Sequence, residues 1–199
     1  MPQSNRLYTA TAGAAATQDR RLAINTPGAN NSALPALQSV TVTTETQIVD
    51  PSNTALPLTV LIPPGGPCEQ EAFDLVFSGY VTTTQSATVI FKVYEGYSAT
   101  IDSNTIIATM TTSAAIATAT APFEFRVRLV YDSISGKLTG RYDGVVQGTV
   151  TASTVITSAP ISASIKNTNN PVLGFTLTVT FSAATTANVV NIKDFGINH

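Results

Sequence analysis

Two groups of carboxylates are the residues of this 199-residue chain whose spacing could support hydrolysis: Glu69, Glu71 and Asp74, and the pair Asp132 and Asp143. A glycosidase needs only two such groups, one as acid and one as base or nucleophile. Asp132 opens Asp-Ser-Ile-Ser-Gly, however, and turn formation accounts for it without catalysis. The only histidine is the final residue, His199, so Ser-His-Asp and Cys-His catalysis are excluded. The single cysteine, Cys68, lies beside Glu69, whose charge raises a thiol pKa rather than lowering it. It reads as a packed thiol, and alone it rules out an internal disulfide or a cysteine zinc site.

Three further motifs fail on inspection. Pro63-Pro64-Gly65-Gly66-Pro67 is rich in glycine but lacks the Lys-Ser/Thr and the following helix that a phosphate loop requires, so it is a turn. The 132–136 segment lacks the further acidic ligands and closing glutamate of a calcium loop. Asn30-Asn31-Ser32 fits a glycosylation acceptor only by chance. No enzymatic activity, cofactor or metal is therefore expected.

The elements that would have to position any site are strands. Phe123, Phe125, Val127, Leu129 and Tyr131 share one face of an extended segment, with Glu124, Arg126 and Arg128 on the other. Asp132 to Gly136 forms the turn, and Leu138, Tyr142 and Val146 alternate with Lys137, Arg141 and Asp143 on the way back. This is an antiparallel hairpin. Val40 and Val42 suggest a strand that Gln47 to Val49 continues, and Leu56–Ile62 a second, which Pro57 makes an edge strand or an irregular approach. Phe73, Leu75 and Phe77 begin a third strand, which Val89, Phe91 and Val93 are expected to pair with across a threonine-rich loop.

Thr105–Thr109 is a short strand. The alanine-rich 113–121 segment reads as an extended loop, since its threonines and its lack of charge pairs argue against a helix. Val150–Ile156 and Ile161–Ile165 follow, interrupted at Ser158-Ala159-Pro160. Phe175, Leu177, Val179 and Phe181 alternate with Thr176, Thr178, Thr180 and Ser182 in a further strand. In the last run Val190 and Ile192 share one parity and Phe195 and Ile197 the other, which predicts a β-bulge near Lys193–Asp194. Eight to ten strands with regular turns and no helix indicate an all-β, antiparallel β-sandwich or barrel.

Composition adds a surface argument. Threonine, alanine and serine make up more than a third of the chain, whereas charged residues are 11%, against about 25% in ordinary domains. Threonine suits solvent-facing strand positions, and so few charges hint that much of the surface faces other protein. A net charge of −2 leaves no basic field for nucleic acid, and no run is long enough to span a membrane as a helix. No apolar leader-like segment is visible near Ala14-Ala15-Ala16. Residues 1–36 are too poor in large apolar side chains to fold alone, and divide the chain into an extended N-terminal arm (1–36) and a sandwich domain (37–199). The arm is either a disordered tail or a segment that becomes ordered by lying on a neighbouring subunit, through Leu7, Tyr8, Arg20, Arg21, Leu22 and Ile24.

Several stretches resemble virion proteins of tailed bacteriophages: Phe-Asp-Leu-Val-Phe-Ser-Gly-Tyr-Val-Thr-Thr (73–83), Ala-Thr-Val-Ile-Phe-Lys-Val-Tyr-Glu-Gly (87–96), Ser-Asn-Thr-Ile-Ile-Ala-Thr (103–109), the hairpin from 125 to 140, and Phe-Thr-Leu-Thr-Val-Thr-Phe (175–181). The resemblance covers roughly residues 70 to 199 and is to jelly-roll capsid cement or decoration proteins. It implies a jelly-roll sandwich, a homotrimer, contact with the major capsid protein at the capsid surface, and no nucleic-acid or membrane partner. Glu124, Arg126 and Arg128 then read as a charged outer stripe for subunit contact, alongside the arm residues. The alternative is a tail or fibre module that binds host glycans through Tyr80, Tyr94, Tyr97, Tyr131 or Tyr142. A carboxylate hydrolase ranks third.

Overall fold

Thirteen strands lie among the described residues of the computed structural model, which are 36–50, 53–62, 72–84, 86–96, 98–116, 120–132, 135–146, 149–160 and 173–198. They are β1 (Ala36–Ser39), β2 (Thr46–Gln47), β3 (Val49–Asp50), β4 (Asn53–Pro57), β5 (Thr59–Ile62), β6 (Ala72–Thr82) and β7 (Val89–Glu95). There follow β8 (Thr105–Thr111), β9 (Ala121–Asp132), β10 (Lys137–Val146), β11 (Thr149–Pro160), β12 (Leu173–Phe181) and β13 (Val189–Asn198). A larger sheet runs β1-β13-β6-β9-β10-β11, and a smaller one β2-β12-β7-β8, with β5 also paired to β12. All pairings are antiparallel, and the two sheets pack as a sandwich. The arm residues Leu7, Tyr8, Arg20, Arg21, Leu22 and Ile24 lie outside the described residues, as do Cys68, Glu69, Glu71 and His199.

The core is aromatic. Phe73, Phe77, Phe91, Phe125, Phe175, Phe181 and Phe195 are all fully buried, each contributing about 2–3 kcal/mol through the area it withdraws from water. Phe91 of the smaller sheet stacks on Phe123 of the larger at 4.6 Å, and Phe73 meets Phe175 across the same gap at 6.0 Å. Such contacts set the sheet-to-sheet distance as well as adding stability.

The β9–β10 hairpin forms with the expected faces: Phe123, Phe125, Val127 and Leu129 are buried, and Pro122, Glu124, Arg126 and Arg128 exposed. Gly136 closes the turn at φ 62°, a conformation glycine adopts without the Cβ penalty. The expected bulge is present, since the β13–β6 register shifts between Ile192 and Asp194, carrying Phe195 and Ile197 back to the core side. The 113–121 segment forms no helix among its described residues.

Four expectations need correction. β6 and β7 do not pair: β6 sits between β13 and β9 in the larger sheet, while β7 joins β12 and β8 in the smaller. The first strand ends at Ser39, leaving Val40 buried and Val42 exposed outside any strand. β11 continues through Ser158 to Pro160 without interruption, paired to β10 with shifts of register that absorb the irregularity. Threonine is not confined to wet faces either, because Thr59, Thr83, Thr112, Thr176 and Thr178 are buried. Their hydroxyls make hydrogen bonds that permit this: Thr176 donates to the Gly96 carbonyl (2.8 Å), Thr83 to Asn188 (2.8 Å), and Thr112 accepts from the Val89 amide.

Candidate functional site

The densest polar arrangement among the described residues lies on the outer face of the smaller sheet and was not anticipated from sequence. Alternation along β7 puts Val89, Phe91 and Val93 inside, which turns Lys92 and Tyr94 outward. Along β12 the same rule turns Thr176 and Thr178 outward, and the β12–β7 register sets Thr178 opposite Lys92. The segment leading into β2 then lays Glu45 over them. Glu45 Oε1 accepts hydrogen bonds from Tyr94 Oη and Thr178 Oγ1, both at 2.6 Å, and Oε2 accepts from Lys92 Nζ at 2.6 Å. Beside it, Gln47 donates to the Ser98 carbonyl, and Asn104 holds Ser98 through its amide and carbonyl. Thus Ser98 and Asn104 are tied to this sheet face as well.

The electrostatics make this cluster a fastening rather than a reactive centre. Burial works to raise the Glu45 pKa, but hydrogen bonds from Lys92, Thr178 and Tyr94, with the lysine charge, outweigh it and hold the carboxyl below its ordinary value. Burial, then the hydrogen bond and negative charge of Glu45, with a contribution from Asp102, push the Tyr94 phenol well above its ordinary value. One group stays ionised and the other stays protonated through the neutral range. Neither is poised to exchange a proton there, as a general acid or base must be. The cluster therefore ties residue 45 to two strands of the smaller sheet.

The charged residues read from sequence lie on the opposite side of the molecule. Glu124, Arg126 and Arg128 project from the outer face of the larger sheet, where strand register brings them among residues of two neighbouring strands. Asp74 of β6 is opposite Arg128, and on β10 Asp143 is opposite Arg126 and Arg141 opposite Arg128. The stripe is thus a patch three strands wide. Arg126 Nη2 pairs with Glu124 Oε1 at 3.1 Å with both side chains about half exposed, and Arg128 Nε reaches Asp74 Oδ1 only at 3.9 Å. Exposed pairs of this kind contribute little to folding, so the charges are available to a partner at small cost.

The carboxylate pair Asp132 and Asp143 is not brought together. Asp132 is opposite Lys137 and Asp143 opposite Arg126, so six residues of strand separate them, or about 20 Å, beyond any glycosidase spacing of roughly 5–9.5 Å. Asp132 instead accepts hydrogen bonds from the Ser135 amide and hydroxyl, as a turn aspartate does. Among the tyrosines proposed for glycan stacking, Tyr94 is buried, and Tyr131 and Tyr142 pack against the core, Tyr142 edge-on to Phe125 at 5.9 Å. Tyr80 is exposed, and Tyr97 lies outside the described residues. No group of three or more histidine, cysteine or acidic residues suited to a metal ion occurs among the described residues. Also among them, no helix is long and apolar enough to cross a membrane.

Comparison with known proteins finds no matching family model, no matching curated protein and no matching solved structure.

Proposed function

We propose that the chain is a non-enzymatic structural protein of a virus particle, a capsid cement or decoration protein that binds its own copies and the capsid surface. The order of strand pairing is the observation that carries this reading. β1 pairs with β13, β2 with β12, β6 with β9 and β7 with β8, each pair nested within the previous one. We read this nesting as jelly-roll connectivity, a long hairpin rolled into two sheets, with β10 and β11 extending one of them.

Jelly rolls serve capsids, sugar-binding proteins and cupins, and the fold alone does not choose among them. Residues favour the first. A metal enzyme of the cupin kind would draw on imidazole and carboxylate ligands, whereas the one histidine is residue 199 and seven phenylalanines fill the space between the sheets. A sugar-binding face would present aromatic rings, whereas Tyr94, Tyr131 and Tyr142 are turned to packing. The charge-poor composition supports the structural reading, and the resemblance read from the sequence of residues 70–199 is what points it to a phage particle.

Co-sedimentation of the full chain with phage shells stripped of accessory proteins tests it. Saturable binding at a fixed ratio to capsid subunits is expected. A chain that stays monomeric at micromolar concentration and never pellets with shells refutes the proposal, and a positive glycan array in its place would move the assignment to receptor binding.

A further inference from the structure

The two outer faces of the sandwich differ in what lies over them. On the smaller sheet the middle of the face is covered: Thr176, Thr178 and Tyr94 are at most 4% exposed and are hydrogen-bonded to Gly96 and Glu45, while Ile106 at the β8 edge is exposed. Among the described residues, none is hydrogen-bonded over the centre of the larger sheet's outer face in the same way, and Glu124, Arg126 and Arg128 are about half exposed there. Three large apolar side chains are exposed on it: Tyr80 (41%), Val145 (37%) and Val155 (74%). Between them lie Asp74, Glu124, Arg126, Arg128, Arg141 and Asp143, three acidic and three basic, in a chain where charge is scarce. Tyrosine and arginine are the residue types enriched in protein interfaces, and here one exposed tyrosine and three arginines share a face with three carboxylates that can pair with them.

We propose that this face is a two-fold, face-to-face interface with a second copy of the chain. The balance of charge selects the partner. A strongly acidic or basic partner would find as much repulsion as attraction on a patch whose six charges cancel, while an identical face can set an acidic residue against a basic one at its centre. A two-fold axis across the strands between Glu124 and Arg126 sets each Arg126 against Glu124 of the other copy. The same axis brings each Arg128 over the level of Pro122 and Tyr80, where a guanidinium can lie on the ring. Like charges are not superposed in this arrangement. Area agrees too: the five long strands β13, β6, β9, β10 and β11, at about 4.8 Å spacing and ten to twelve residues long, present roughly 800 Å², the share per partner of a standard interface.

This inference rests only on the self-association within the proposed function and not on capsid binding. It also departs from the three-fold assembly that the phage resemblance implies, since a face that meets itself requires two-fold symmetry.

The test uses two full-length variants, Arg126→Glu with Arg128→Glu, and Glu124→Arg with Asp143→Arg, in sedimentation equilibrium. All four positions are on the outer face, and an unchanged circular-dichroism spectrum for each variant shows that the fold is kept, since loss of the dimer alone lowers the melting temperature. The wild type is expected to be dimeric, and each variant alone to associate at least about a hundredfold more weakly. Mixed in equal amounts, the two should recover dimer as a heterodimer. A wild-type monomer overturns both this inference and the self-association it rests on. An oligomer indifferent to both variants, or a trimer, overturns only the interface. Variants that dissociate but give no heterodimer refute the charge pairing.

Discussion

Replacing Glu45 removes one carboxylate that holds three donors from two strands, and its effect can be worked out from their exposure. Thr178 and Tyr94 are 1% and 4% exposed, so loss of the acceptor leaves two buried hydroxyls unsatisfied, at about 1–1.5 kcal/mol each. The Lys92 side chain is 25% exposed, and its share is under about 1 kcal/mol because water replaces the contact. Glu45→Ala should therefore destabilise the protein by about 2–4 kcal/mol, lowering the melting temperature by about 5–12 °C for a domain of this size. Glu45→Gln keeps an acceptor oxygen and should lose about half as much. The pH dependence is the sharper measurement. Because the folded protein holds this carboxyl below its ordinary value of 4.5, the stabilisation is complete above that value and disappears as pH falls through the lower, folded one. Urea unfolding of wild type and Glu45→Gln should thus differ by a constant amount near neutrality and converge in acid. A difference that persists undiminished to about pH 2 would refute the ionic part of the argument, and an alanine variant as stable as wild type would refute all of it.

Spectrophotometric titration should show at least one phenol that fails to ionise near pH 10, restored to ordinary behaviour by Glu45→Gln to the extent that the carboxylate, rather than burial, holds Tyr94 protonated. Gly79→Ala should lose the native fold or several kcal/mol of stability, because its Cβ would strike the Asn191 carbonyl of β13 beside the bulge; circular dichroism and a melting curve decide. Phe77→Ala should cost about 3–5 kcal/mol in urea unfolding, since the ring is fully buried between Phe125 and Phe195.

What was legible in the sequence follows from how far apart the deciding residues lie. The β9–β10 hairpin was readable because its alternation, turn and return occupy one continuous stretch, from Ala121 to Val146. The bulge at Lys193 was readable for the same reason: a slip in apolar parity is written into the strand that carries it. Pairing between strands was not. Phe73-Asp74-Leu75 and Val89-Ile90-Phe91 both announce half-buried strands, but nothing local says that β6 takes β13 and β9 as neighbours while β7 crosses to the other sheet. Thr176 and Thr178 illustrate a second limit, since threonine is equally at home on a wet face or on a dry one that supplies an acceptor. Their acceptors are Gly96 and Glu45, residues from other parts of the chain. Glu45 itself had no periodicity or motif to single it out. Its role exists only once Lys92, Tyr94 and Thr178 have been placed beneath it by the β7–β12 register. The candidate interface stands between these cases. Glu124, Arg126 and Arg128 were visible as one strand's outer edge, but the compensating Asp74, Arg141 and Asp143 come from the strands on either side. Only their registration turns one strand's charged stripe into a neutral patch three strands wide, and that neutrality is the premise on which the proposed contact with another copy of the same face rests.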